Sequence, residues 1–384
     1  MKRLRMGWAF AIACVTAGCG SPHGTTGLPA PALPPLVSAA TSSEIAPAER
    51  CRPIFYKPRG APKPEHRPLH GPGLVLGGGG LDVKGEFVWI RNTIAGNARV
   101  RTGDLVVLRA TGNNDYDPYI YRIAHFHSVR TLRIPTCSSA QTLAAAAAIV
   151  QRAGAVWFAG GNQADYVIWK NTPIQLAVDR VYARGGVVGG TSAGEAILGQ
   201  YVFNAVAEGD RNTKTENAVR NPWERIISFT YGFFRFPALR RTITDQHFVT
   251  RNRFGRTAVF MARQIAAGRV PPSKPVVLGI GVDEESGIVV DRHGIGTLLL
   301  QGTGGSAFLI RGGAAKQIVP GLPFVSSKLV VTKLSRQGDT FDFNTWCGPE
   351  ATYDVRVDGT QPEGSIYTPK DPYKPPKDSR IPRC

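Results

Sequence analysis

The sequence predicts an α/β fold built on a doubly wound, mostly parallel sheet with flanking helices, and three observations carry that prediction. Short, unbroken apolar runs of strand length recur through the middle of the chain. Segments of helical character separate them. Several of the runs empty directly into glycine-rich turns, among them Gly77–Gly80 and Gly160–Gly161. Continuous apolar strands separated by helices are what a parallel sheet covered on both faces requires, because each strand is buried on two sides.

The elements follow in order. Gly73–Leu76 reads as the first strand and ends in four glycines. Helical signal follows at Glu86–Ile94, then a second strand at Asp104–Ala110 and a weaker third at Val129–Ile134. Gln141–Arg152 is an alanine-rich helix with Ser138 or Ser139 as its N-cap. Ala155–Ala159 is a strand that runs into Gly160-Gly161-Asn162-Gln163, and a helix covers Pro173–Arg184. Gly186–Gly189 is a strand followed at once by Thr191-Ser192-Ala193-Gly194 and a helix. Beyond Pro275 the pattern changes to short strands with glycine turns, which predicts antiparallel additions at the sheet edge. The expected domain is 73–350.

Composition bounds the flanks. The chain has 384 residues, 42% hydrophobic and 19% charged, an ordinary globular balance that excludes wholesale disorder. No apolar run approaches the roughly 20 residues needed to span a bilayer. Residues 1–19 read as an export signal: Lys2, Arg3 and Arg5 precede a short apolar stretch, Met6–Ala17. Ala17-Gly18-Cys19 is similar to a bacterial lipobox, which would leave Cys19 lipidated in the cell envelope; plain secretion is the alternative. Residues 20–72 read as a Pro- and Ala-rich spacer and 351–384 as a Pro- and Lys-rich tail. The net charge of +18 is read as surface and tail solvation, and without a zinc-finger, RRM or KH pattern no nucleic-acid partner is expected. Cys51, Cys137, Cys347 and Cys384 allow three disulfide pairings, and none has zinc-ligand spacing. Neither a metal nor a cofactor is expected, and a homodimer is compatible with the sequence.

The chemistry concentrates at Ser192. Gly190-Thr191-Ser192-Ala193-Gly194 fits G-x-S-x-G between an apolar strand and a helix. There a sharp turn lifts a serine above the sheet, with the next N–H facing a developing oxyanion. A serine nucleophile needs a base, and of the seven histidines His247 stands apart. It lies in Thr244-Asp245-Gln246-His247-Phe248, just before a basic helix that carries Arg251, Arg253 and Arg256. His125 and His127 are read as structural or exposed, and His293 lies in a turn. Asp283-Glu284-Glu285, at the end of an apolar strand, offers the acid that would orient the base. The order Ser, His, acid differs from that of the α/β-hydrolases and points to another family.

Together these blocks resemble the cyanophycinases, within the peptidase family that also contains the aspartyl dipeptidases. Five motifs match in order over about 73–300: Gly77–Gly80; Phe158-Ala159-Gly160-Gly161-Asn162-Gln163; Gly189–Gly194; Asp245-Gln246-His247-Phe248 with its arginines; and Leu278–Glu284. The resemblance implies a fold like the class I glutamine amidotransferases and hydrolysis of cyanophycin, a poly-aspartate carrying arginine on its side chains, to β-Asp-Arg dipeptides. Carried over residue by residue, Ser192 is the nucleophile, His247 the base and Glu284 the orienting acid. Ala193, Gly78 and Gly79 would supply the oxyanion hole. Gln163, Asp245, Gln246, Arg251 and Arg256 would line the substrate pocket. Asn162 stands where the family more often has Asp, and Glu195 where a small residue is more common. Asp115 and Asp117 are candidate partners for the substrate's arginine. Two alternatives accompany this reading: an aspartyl dipeptidase-like enzyme, and a non-catalytic surface binding module on the same fold.

Overall fold

A computed structural model describes residues 51–97, 102–209, 212–377 and 379. Residues 1–19, read above as an export signal and including Cys19, lie outside the described residues, as do most of the expected spacer and Cys384. The chain enters through two short strands, β1 (Ile54–Phe55) and β2 (Arg59–Gly60), followed by β3 (Gly73–Gly77) and α1 (Lys84–Ala95). Next come β4 (Asp104–Arg109), α2 (Tyr116–Ala124), β5 (Ser128–Arg133), α3 (Ala140–Val150), β6 (Ala155–Phe158) and α4 (Ala164–Val167). The first half closes with α5 (Pro173–Ala183), β7 (Val187–Thr191) and a single-turn α6 (Ala193–Ala196).

Five of these strands, in the order β5-β4-β6-β7-β3, form the parallel centre of a large sheet. Their side chains are buried almost throughout, which is why they read as unbroken apolar runs. Helices cover both faces and divide the core in two. Phe87, Ile90 and Trp157 pack on one side, and Phe158, Trp169 and Val178 on the other. The N-cap of α3 is Ser139, whose hydroxyl accepts from Thr142 N–H at 3.2 Å.

The second half continues with β8 (Tyr201–Phe203), α7 (Thr215–Arg220), β9 (Phe229–Tyr231), β10 (Thr242–Gln246) and α8 (Phe254–Ala266). Eight strands complete it: β11 (Val277–Val282), β12 (Ser286–Val290), β13 (Ile295–Leu300), β14 (Ala307–Gly312), β15 (Leu329–Leu334), β16 (Thr340–Asp342), β17 (Thr352–Val357) and β18 (Tyr367–Thr368). The expectation of antiparallel additions at one sheet edge needs correction here. β12, β13 and β16 do extend the first sheet beyond β3. The others form a second sheet, β10-β11-β14-β15-β17-β18, with its own core around Phe248, Phe260 and Phe308. The chain passes from the second sheet to the first between Val282 and Ser286, a corner of three residues.

The expected domain, 73–350, is too short at both ends. β1 and β2 pair antiparallel with β5. A disulfide joins Cys51 to Cys137 across 86 positions, and Cys347 is also disulfide-bonded. At the other end β17 and β18 belong to the second sheet, and Tyr373 lies within 6.0 Å, ring to ring, of Phe248, Phe254 and Phe308. Tyr373 and Tyr367 also accept the first N–H groups of α8, from Phe254 and Gly255, both at 3.1 Å. Composition suggested loose flanks, but a staple and a few aromatic pegs suffice to fix them. Because the Cys51–Cys137 bridge closes a long loop, the variant Cys51→Ser is expected to lose about 2–4 kcal/mol of unfolding free energy in urea titrations.

Candidate active site

Three loops meet where strands β6, β7 and β3 end. The registers Phe158↔Gly190 and Gly77↔Thr191 bring the C-terminal ends of these strands level. Ser192, directly after β7, therefore stands between the loop that starts at Gly78 and the loop of Gly160–Gln163. Its backbone has φ 54° and ψ −119°, a sparsely populated conformation for a residue with a Cβ. The turn is tight enough that a Cβ on Gly194 would come within 2.1 Å of the Phe158 carbonyl oxygen, so only glycine fits there.

His247 and Glu284 come from the end of the second sheet. β10 and β11 run parallel with Gln246 paired to Val282, so His247 and Asp283-Glu284 leave the sheet at the same end. The His247 N–H donates to the Gly78 carbonyl at 2.8 Å, and the Glu285 N–H donates to the Gly79 carbonyl at 2.9 Å. These two bonds lock the end of the second sheet to the glycine loop of the first. Gly79 has φ +103°, and a Cβ there would collide with the imidazole at 2.4 Å. The glycine loop thus forms the wall against which the histidine ring lies.

The resulting geometry is a linear relay. Ser192 Oγ lies 2.7 Å from His247 Nε2, and His247 Nδ1 lies 2.5 Å from Glu284 Oε1. With Nδ1–H donated to the carboxylate, Nε2 is left as the acceptor for the serine hydroxyl. His247 is 6% exposed, whereas Ser192 and Glu284 are half-buried. Burial pushes the His247 pKa below its ordinary value; Glu284 pulls it back up, and Arg251 and Arg253 push it further down. The imidazole is therefore neutral at neutral pH, the state a general base needs.

The other sequence-predicted positions divide. Ala193 N–H is the first of α6 and has no intrahelical acceptor. Gly79 N–H meets no carbonyl among the described residues. Both are available as oxyanion donors. Gly78 is a correction, because its N–H is already donated to the Ser286 carbonyl at 2.9 Å. The helix after Ser192 is also shorter than expected, a single turn that adds little dipole.

Arg256 is the larger correction. It is 2% exposed and clamps Asp245 bidentately, Nη2 to Oδ1 at 2.5 Å and Nε to Oδ2 at 2.9 Å, while Nη1 donates to the Thr213 carbonyl. Asp245 also accepts from Thr257 Oγ1 at 2.7 Å and from Arg253. Its carboxyl sits below the usual range because two guanidiniums outweigh its burial. Asp245 and Arg256 are therefore an internal ion pair behind the site, not groups that reach a substrate. Gln246 is 3% exposed and bonded to Arg253, which is the N-cap residue of α8. Gln163 is buried too and donates to the Phe203 carbonyl at 3.4 Å. Of the five expected pocket residues only Arg251 is exposed. The expected basic helix begins at Phe254, so Arg251 lies in the turn before it.

Asp117 is likewise internal, accepting from Thr131 Oγ1 at 2.6 Å. The elbow's unusual residue, Glu195, is fully buried with neither carboxylate oxygen bonded. Burial, and then the Asp245 carboxylate, push its pKa well above the ordinary carboxyl value. The family resemblance marked Glu195 as unusual but gave no means of placing it. Among the described residues no cluster of three metal-ligating side chains occurs.

A strained serine on a strand-to-helix turn, relayed through histidine to glutamate above an α/β sheet, defines a nucleophile-elbow site. No protein-family model matches the chain. Over 161 residues, 41% of its length, the chain is similar to the cyanophycinase of Trichormus variabilis, with 29% identity. Cyanophycinases of Geminocystis herdmanii and Synechococcus elongatus are 28% and 29% identical over 37% and 40% of the chain. The chain spans less than half the length of these relatives: 45%, 45% and 41%. Two solved structures are also similar. A peptidase from an acI-B1 Actinobacterium aligns with 71% of this chain and 97% of its own, at 14% identity and TM-score 0.42. A putative peptidase E protein from Listeria monocytogenes aligns with 58% and 95%, at 12% identity and TM-score 0.36.

Proposed function

We propose that this protein is a serine-type peptidase that hydrolyses cyanophycin or a closely related aspartyl peptide to β-Asp-Arg dipeptides. The single observation that supports this best is the Ser192–His247–Glu284 relay, with 2.7 Å and 2.5 Å links between neighbours. The cyanophycinase relatives support the choice of substrate.

In this reading His247 Nε2 takes the Ser192 proton as Oγ attacks a backbone carbonyl of the poly-aspartate chain. General base assistance of this kind contributes about 10²–10⁴-fold. Ala193 N–H and Gly79 N–H stabilise the tetrahedral oxyanion. His247 then protonates the leaving amine, and a water deprotonated by the same nitrogen releases the acyl group. Glu284 holds the ring and offsets the imidazolium charge. Release of β-Asp-Arg from purified cyanophycin is the test; a protein that cleaves neither the polymer nor aspartyl dipeptides does not have this function. Faster turnover of Asp-X dipeptides than of polymer would favour the aspartyl dipeptidase alternative. Retention of an intact fold without labelling by a fluorophosphonate probe would favour a binding module.

The acid limb of the pH–kcat/KM profile reports His247, which must be neutral to act. Its midpoint is expected below the ordinary histidine value. Arg251→Gln removes one of the cations that disfavour the imidazolium, so the midpoint should move to higher pH. We also propose that the protein is exported and anchored through Cys19. Metabolic labelling with an alkyne fatty acid, lost in Cys19→Ser, checks this.

A further inference from the structure

The positive charge of the chain is not spread evenly. Residues 51–64 hold Arg52, Lys57, Arg59 and Lys63 and no carboxylate, and the stretch 118–164 is likewise free of Asp and Glu. The fold brings these two stretches together. The strap 51–64 carries β1 and β2, which run antiparallel along the outer edge of β5 with Ile54 opposite Arg133 and Arg59 opposite Val129. Arg133 Nη2 donates to the Arg52 carbonyl and Arg130 Nε to the Tyr56 carbonyl, both at 3.1 Å. Two guanidiniums thus fasten the strap to the sheet.

The edge they make has one sign. Arg52, Lys57, Arg59 and Lys63 are exposed, and none forms an ion pair among the described residues. Arg130 is half-buried, and its two terminal nitrogens meet no acceptor among the described residues. The carboxylates of adjoining elements are withdrawn. Asp104 is buried and accepts from Ser128 Oγ at 2.5 Å and from the Glu65 N–H at 2.7 Å. Asp117 is buried against Thr131, and Glu65 is half-buried and paired with Arg67 at 2.8 Å. A merely solvated surface intersperses both signs. Lys63, Arg130 and Arg152 also line a cavity of about 260 Å³ whose other walls include Pro58, Pro62 and Ile149. Cations beside apolar walls suit a phosphate that carries an acyl chain.

We propose that this edge lies on an anionic bilayer and takes the phosphates of its lipid headgroups. The choice of a membrane rests on the anchor at Cys19 proposed above, because the chain from that residue enters the described fold at Cys51, where the strap begins. Residues 20–50 span at most about 110 Å when fully extended, so a tether of that length sets no orientation by itself. The cations of the edge set it. Ser192 follows β7, three ladder spacings or about 14 Å in from β5, so an edge-on seat leaves the relay outside the contact. The peptidase reading plays no part in this inference.

The test is co-sedimentation of the full chain carrying Cys19→Ser, which removes acylation, with vesicles of phosphatidylcholine alone or mixed with phosphatidylglycerol. Binding should require phosphatidylglycerol beyond any contribution seen on neutral vesicles, and should weaken steeply as salt rises above about 0.1 M. A cation at an anionic surface is worth about fivefold in affinity, so Lys57→Gln/Arg59→Gln/Lys63→Gln should weaken binding about hundredfold. Arg152→Gln, Lys57→Gln and Lys63→Gln, each alone, should cost about fivefold and cover the case in which the triple variant fails to fold. Arg240→Gln/Lys274→Gln/Lys377→Gln removes the same charge from exposed positions elsewhere and should leave binding nearly unchanged.

Equal binding to neutral vesicles, indifference to the strap variants, or an equal loss in the control triple overturns the membrane face. Strap-dependent binding to duplex DNA without binding to vesicles overturns it in favour of a nucleic-acid surface. Phosphatidylglycerol-dependent binding without fatty-acid labelling at Cys19 would remove the anchor and keep the face. Labelling without such binding would do the reverse.

Discussion

Replacing Ser192 by alanine is expected to lower kcat for aspartyl-peptide hydrolysis by about 10⁴–10⁶-fold, the cost of deleting a nucleophile that acts as one unit with its base. Labelling by a fluorophosphonate probe should vanish with it. The fold should persist, because among the described residues the 192 side chain is bonded only to His247 Nε2. Far-UV circular dichroism and the urea midpoint check that separation. Glu284→Gln is the companion experiment. It keeps the shape of the acid but removes its charge and can present an NH₂ group to Nδ1, so the tautomer that leaves Nε2 free is no longer favoured. A loss of about 10³–10⁴-fold in kcat is expected, in line with removal of the orienting acid from other serine triads. Retained activity in Ser192→Ala would end the serine-peptidase reading.

The second large effect is on stability. Asp245→Ala is expected to destabilise the protein by about 3–5 kcal/mol in urea unfolding, because it strands two buried guanidiniums. Arg256 would lose both bonds of its clamp, and Arg253 would lose part of its own anchorage. The pH dependence has a definite sign. The folded Asp245 carboxyl lies below its ordinary value, so its stabilising contribution is present above about pH 4 and is lost as the pH falls through the folded pKa. Acid unfolding of the wild type should therefore be steeper than that of Asp245→Ala. Equal stability of wild type and variant would show that the triad contributes nothing net.

The parallel half of the molecule was readable because its strands are buried on both faces. β6 has no polar side chain, β7 has one at its end, and β4 has them only at its two ends, so each reads as a short unbroken apolar run. The relay was readable through motif order rather than pattern. β10, by contrast, is Thr-Ile-Thr-Asp-Gln, fully buried yet mostly polar, and hydropathy cannot say which sheet such a strand joins. The split into two sheets was invisible for that reason. The roles of Arg256 and Gly78 were misread because residue type does not reveal whether a donor is already engaged. Arg256 is spent on Asp245, and the Gly78 N–H on the Ser286 carbonyl. Helix α2 passed unnoticed because Pro118 lies in its first turn and its buried face is small, chiefly Ile120 and Ala124.

The corner between Val282 and Ser286 has one more implication. Ser192 and His247 arise from separate sheets of the molecule, and these three residues carry Glu284 while they set the offset of one sheet against the other. The turn is a mechanical gauge: its length fixes how far the ring stands from the alcohol. Loops remote from it are free to lengthen with little catalytic consequence, whereas a single amino acid inserted there would uncouple the triad even though every one of its members is still encoded.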